Sequence, residues 1–164
     1  MGGREIRLKT RRLENYSSIS PTTSATQGAA MAPKKSLVTQ YPAADPTDAA
    51  RHFLARLSVE TDPSDVHHDL QQGVETFVVV DVRAPEAFAK GHVPGAVSLP
   101  HRTISSETTA RLPQDKLLVV YAWGPHCNAA QKGAAKLAGL GFRVKEMIGG
   151  FQYWQSEGYP VVSG

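Results

Sequence analysis

Two apolar runs, "TFVVVDV" at residues 76–82 and "KLLVVYAW" at residues 116–123, constrain the fold more than any other feature of the chain. The first is rich in valine and the second in leucine and valine, and neither alternates apolar with polar residues as a half-exposed strand does. Runs of this kind belong to strands buried on both faces, the condition of parallel strands with helices on either side. The sequence around them supplies those helices. "PTDAARHFLARL" sets Ala50, Phe53, Leu54 and Leu57 on one helical face. "DPSDVHHDLQQG" offers Asp62 or Ser64 as an N-cap and Gly73 as a stop. After the first strand, which ends at Asp81, come a short helix "APEAFAKG", the turn "HVPGA", a short strand "AVSLP" and a polar connection with a weak helical signal near "SSETTARL". Beyond the second strand, "NAAQKGAAKLAGLG" reads as a helix closed by Gly141, "RVKEMI" as a strand, and "GGFQYWQSEG" as a glycine turn entering a last helix. Strands alternating with helices predict an α/β sheet whose reactive loops lie at the C-terminal ends of the strands.

Charge divides the chain in two. Of the net +3, residues 1–35 carry +5, from Arg4, Arg7, Lys9, Arg11, Arg12, Lys34 and Lys35 against Glu5 and Glu14, which leaves −2 for the remainder. A basic folded face for nucleic acid is therefore not expected. Residues 1–45 are predicted to be a basic, Ser/Thr-rich, disordered extension, faintly like an organelle transit peptide, with Met31 as an alternative start; residues 46–164 are predicted to be one domain. No apolar run approaches the roughly 20 residues that span a bilayer, so no membrane partner is expected. Cys127 is the one cysteine, which rules out an internal disulfide and suits a reducing compartment, here the cytoplasm.

That cysteine lies in "YAWGPHCNAAQKG", between the second strong strand and a helix. A chain passing from strand to helix exposes the helix's first free N–H groups, a ready site for anions. Asn128 and Gln131 have the spacing of a capping box, which would set Cys127 beside the positive end of the helix, with Lys132 and His126 adding positive potential. A thiol so placed can act as a nucleophile toward sulfur or phosphorus. A lone cysteine is also among the most commonly buried residues and can serve only to pack.

From about Asp48 to Val162 the chain resembles the rhodanese-like sulfurtransferases. The resemblance is carried by "VVVDVRAPEAFAKGHVPGAVSLP", "LLVVYAWGPHCNAAQKGAAKLAGLGFRVKEMIGG" and "GGFQYWQSEGYPV", which hold the family's Asp-Val-Arg, its Gly-His-x-Pro-Gly-Ala and its Gly-Gly with a following tryptophan in order. It implies a central parallel sheet of about five strands flanked by helices. It also implies a cysteine that takes sulfane sulfur from a small anionic donor such as thiosulfate or polysulfide, holds it as a persulfide, and passes it to a thiol or other nucleophilic acceptor, without metal or organic cofactor. By position, Cys127 would carry the sulfur. Gly124 and the backbone of Asn128, Ala129, Ala130, Gln131 and Lys132 would form the cradle, and Lys132 would attract the donor. Asp81 and Arg83 would be a framing pair, His92 would fix a turn, and Trp123 would line the pocket or cover the sheet end.

The chain departs from the family's commonest pattern, in which the cysteine directly follows the strand. Ala122 stands there, Asn128 stands where thiosulfate-specific forms often have arginine, and Ala130 where glycine is usual. Two readings follow: Cys127 is the nucleophile, or the domain is an inactive module for protein interaction or sulfur sensing. Phosphatases of related fold need an arginine six positions after the cysteine; here Gly133 stands there. His67 and His68, with no cysteine nearby, predict no metal site.

Overall fold

The computed structural model describes residues 36–164. Residues 1–35 of the extension expected over residues 1–45, with its transit-peptide character and the alternative start at Met31, lie outside the described residues. A compact unit spans Ala43–Gly164. It runs α1 (Pro46–Val59), β1 (Glu60–Thr61), α2 (Pro63–Gln71), β2 (Phe77–Asp81), α3 (Pro85–Lys90), β3 (Val97–Ser98), β4 (Leu117–Tyr121), α4 (Ala129–Gly139), β5 (Val144–Met147) and α5 (Gly150–Ser156). The five strands form one sheet in the order β1-β5-β4-β2-β3, every pair parallel, so the expected doubly covered parallel sheet is present.

Local chemistry sets the helix ends. Asp45 Oδ1 accepts the Thr47 N–H at 2.8 Å to start α1, and Asp62 Oδ1 accepts the Asp65 N–H at 2.9 Å to start α2, each followed by proline in the first turn. At the end of α4, Gly141 takes φ +90° and the Phe142 N–H returns to the Leu137 carbonyl at 3.1 Å, a closure a side-chain-bearing residue adopts poorly.

The two apolar runs divide their side chains by the strand period of two. Val80, Val82, Leu118, Val120 and Ala122 point into a core completed by Leu137 and the start of α4. Val79, Val119 and Tyr121 point into a second core completed by Val66 of α2 and by Phe151 and Trp154 of α5. Each fully buried aliphatic side chain in these layers contributes about 1.5–3 kcal/mol through removal from water.

Three local features differ from the expectation. Strand β1, a Glu-Thr pair with no apolar signature, escapes sequence reading because it only adds an edge to β5. "SSETTARL" forms turns, not a helix: the Thr108 hydroxyl donates to the Thr103 carbonyl at 2.9 Å and the Thr109 hydroxyl to the Ser105 carbonyl at 2.8 Å, offering the backbone local bonds that compete with helix. The apolar face of α1 is uncovered among the described residues, with Phe53 58% and Leu54 66% exposed.

Substitution Leu137→Ala, at a residue with no exposed surface, is expected to cost about 2–5 kcal/mol. Phe53→Ala on the open face of α1 is expected to change stability by less than about 0.5 kcal/mol, both read by denaturant unfolding.

Candidate active site

The C-terminal ends of β2 and β4 meet over a buried charged pair. Asp81 leaves β2 with no exposed surface, and Arg83 two residues on is 3% exposed. Arg83 Nη2 lies 2.6 Å from Asp81 Oδ2, and Nε lies 3.0 Å from both carboxylate oxygens. The parallel register sets Tyr121 of β4 beside Asp81, and its hydroxyl donates to Oδ2 at 2.7 Å while accepting the Val93 N–H at 3.1 Å. Burial first, then the charge and hydrogen bond of Asp81, push the Tyr121 hydroxyl far above its ordinary range, so it keeps its proton and remains a donor. Arg83 Nη2 also donates to the Gly91 carbonyl at 2.7 Å. The guanidinium carbon sits 4.0 Å from the ring centre of Phe151 and 4.5 Å from that of Trp123. Arg83 Nη1 is the buried side-chain polar atom without a hydrogen-bond partner among the described residues, and these ring faces are its compensation. His92 Nδ1 donates to the Phe88 carbonyl at 2.9 Å and its ring stacks on Phe88, which ties it to the turn after α3.

From Tyr121 the chain enters the loop that carries Cys127. Two rungs bind it to the start of α5: the Phe151 N–H donates to the Ala122 carbonyl at 2.9 Å and the Gln152 N–H to the Trp123 carbonyl at 2.8 Å. The approach is close enough that a Cβ on Gly150, which has φ +58°, would stand 2.6 Å from the Ala122 oxygen, so only glycine fits. The loop then folds on itself through a turn closed by the Cys127 N–H to the Gly124 carbonyl at 2.9 Å. Gly124 is buried, Ala129 and Ala130 are buried under the sheet, and Cys127 is half-buried against the same core.

The capping box is not formed. Asn128 is the N-cap residue of α4, but its backbone lies at φ −83°, ψ 15° and its side chain makes no cap bond. Caps work from extended backbone, and this one is close to helical. Gln131 reaches the other way and donates from Nε2 to Glu146 Oε1 at 2.9 Å. The first-turn amides of α4, beside Cys127, are thus left without a side-chain acceptor from Asn128. Lys132 is exposed and its side chain lines neither cavity of this region.

Cys127 stands in the wall shared by two cavities. One, of about 410 Å³, is lined on its far side by Arg56, Glu60, Asp62 and Glu146, and Ala122 opens into it as well, so the usual cysteine position and Cys127 face the same space. The other, of about 450 Å³, lies under Trp123 and is lined by Arg83, Pro100, His101, Arg102 and Ala129. Arg102, Tyr121, Phe151 and Glu146 were not singled out in the sequence. Their roles depend on strand register and on which loops meet, and only the adjacency of the two apolar strands hinted at Tyr121.

A family model described as "Rhodanese-like domain" matches residues 62–157. The chain belongs to the rhodanese-like family. The matched span contains every element of the site from α2 to α5. Within it the chain is 41% identical over 88 residues to a protein named thiosulfate sulfurtransferase GlpE from Pseudomonas entomophila (strain L48), covering 52% of this chain and 76% of that one. It is also 33% identical over 86 residues to a protein named HTH-type transcriptional regulator Rv0324 from Mycobacterium tuberculosis, where the match spans 38% of that protein. Among solved structures, the BH2092 protein of Bacillus halodurans aligns with a TM-score of 0.71 at 48% identity, covering 73% of this chain and 87% of that one. A rhodanese-related protein from Thermoplasma volcanium aligns with a TM-score of 0.55 at 27% identity, covering 63% of this chain and 97% of that one. No helix among the described residues is long and apolar enough to cross a membrane.

In this rhodanese-like domain Tyr121→Phe strips Asp81 of one donor and leaves the buried Val93 N–H without its acceptor; a loss of about 1–3 kcal/mol is expected in urea unfolding. Glu146 supplies a pH test. Burial raises its carboxyl above the ordinary 4.5, Gln131 offsets part of that, and the charge of Glu60 adds to it. The folded state therefore holds this proton to higher pH than the unfolded chain, and stability falls as pH rises from 4.5 through the raised value. Glu146→Gln keeps an acceptor for Gln131 and removes that cost. Its melting temperature is expected to exceed the unsubstituted protein's at neutral pH and to converge with it near pH 4, in thermal scans across pH.

Proposed function

We propose that this protein is a rhodanese-type sulfurtransferase that carries sulfane sulfur as a persulfide on Cys127. The observation that supports the reading is the setting of that thiol. Cys127 is half-buried on a loop stapled to α5, opens into two cavities, and stands just ahead of α4 amides that the Asn128 side chain leaves uncapped. A filler cysteine has no need of access from solvent. The relatives named thiosulfate sulfurtransferase point to the same chemistry.

In the first half-reaction the Cys127 thiolate attacks the sulfane sulfur of the donor. A new S–S bond forms, the donor's S–S bond breaks, and the leaving group takes the electron pair; for thiosulfate it is sulfite. In the second, an acceptor thiolate or cyanide attacks the outer sulfur and the Cys127 thiolate leaves. Preorganised backbone amides at the start of α4 would hold the sulfur anion at each stage without a metal or organic group. Lys132, being exposed and away from both cavities, would add only long-range attraction.

Intact mass spectrometry tests this directly. After incubation with thiosulfate or polysulfide, the protein is expected to gain one sulfur atom that cyanide removes as thiocyanate, and Cys127→Ser is expected to gain none. Absence of the adduct with both donors would leave the inactive interaction or sensing module as the better account.

A further inference from the structure

The two cavities that share Cys127 differ in charge. The one on the Ala122 side brings together Glu60, Asp62 and Glu146 against the single cation Arg56, which is already paired to Glu60 at 2.8 Å. It disfavours negative charge, as the raised carboxyl of Glu146 also indicates. The one under Trp123 carries Arg102 and His101, with Arg83 balanced by its buried partner, and among the described residues no carboxylate lines it. Its remaining walls are largely apolar, from Val82, Pro85, Pro100 and the Trp123 ring.

We infer that anionic sulfur donors reach Cys127 through the cavity under Trp123, and that Arg102 selects for their charge. This rests on the persulfide reading of Cys127 given above. Thiosulfate enters there with two negative charges; the thiolate attacks its sulfane sulfur, the S–S bond to the sulfonate group breaks, and sulfite departs with two negative charges through the same mouth. Arg102 is exposed at that mouth, makes no ion pair among the described residues, and lies well apart in sequence from the loop that carries the thiol.

Because Cys127 is the one thiol of the chain, its alkylation reports the path of a charged reagent without any sulfur transfer. The full-length protein is alkylated with iodoacetate, an anion, and with iodoacetamide, its neutral analogue, and the ratio of the two rate constants is taken by intact mass. Arg102→Glu is expected to lower the ratio by about five- to tenfold, and Arg102→Gln by less, while Arg56→Glu in the opposite cavity leaves it within about twofold. Added salt is expected to flatten the difference. Arg102→Glu is also expected to raise KM for thiosulfate with kcat retained. A ratio unmoved by Arg102→Glu, or lowered as far by Arg56→Glu, overturns the inference, as does a Cys127 that neither reagent reaches. If alkylation follows the expected pattern and thiosulfate leaves no sulfur adduct, the proposed function fails while the path of entry stands.

Discussion

The buried pair Asp81–Arg83 is the joint on which the C-terminal edge of the sheet hangs. Two charges withdrawn from water are costly, and the attraction between them repays that cost only when the remaining polar atoms find partners. Here they nearly all do. Asp81 accepts from Tyr121 and from the Arg83 backbone, and Arg83 donates to Gly91 as well as to Asp81. Each bond reaches a different element: β4 through Tyr121, the turn after α3 through Gly91 and Val93, and α5 through the ring of Phe151. Loss of either charged partner would strand the other and loosen three connections at once. The pair ties together the strand ends from which the Cys127 loop springs.

A second constraint follows from that frame. Once Phe151 is held against Arg83, the N-terminus of α5 lies under the loop, and its amides are used on the carbonyls of Ala122 and Trp123. A helix start that elsewhere could receive an anion is here consumed by the protein itself. The free amides near Cys127 are then those of α4, where the Asn128 side chain declines to cap. The molecule thus keeps one helix start for structure and leaves the other open beside its only thiol.

This division explains what was legible in the sequence. Parallel strands, helices and their stops could be read because each depends on residues within a few positions: the Val-rich runs, the Asp62 cap of α2, the glycine after α4. Cys127 could be placed on a strand-to-helix loop for the same reason. The capping box failed because spacing records side-chain type but not the backbone angle at Asn128, and Gln131 had a better acceptor in Glu146, 15 residues away. Tyr121 looked like core and is also a donor to a carboxylate 40 residues earlier. Arg102 and the acidic group of Glu60, Asp62 and Glu146 become visible only when the sheet order brings β1 beside β5 and the turn after β3 beside the loop.

The shared wall at Cys127 carries a consequence for the order of events. A persulfide extends the thiol by about 2 Å and moves the negative charge to the outer sulfur. If Cys127 carries sulfur as proposed, that charge would be repelled by the carboxylates on the Ala122 side and drawn toward Arg102 and the α4 amides, and the loaded sulfur would lean under Trp123. An acceptor would then meet it there, against the apolar surfaces of Pro100 and the Trp123 ring, in the cavity through which the donor is proposed to enter. On that reading one cavity would serve the two half-reactions in turn, and the order would follow from the covalent intermediate itself, since an acceptor has no outer sulfur to attack until the donor has given it up.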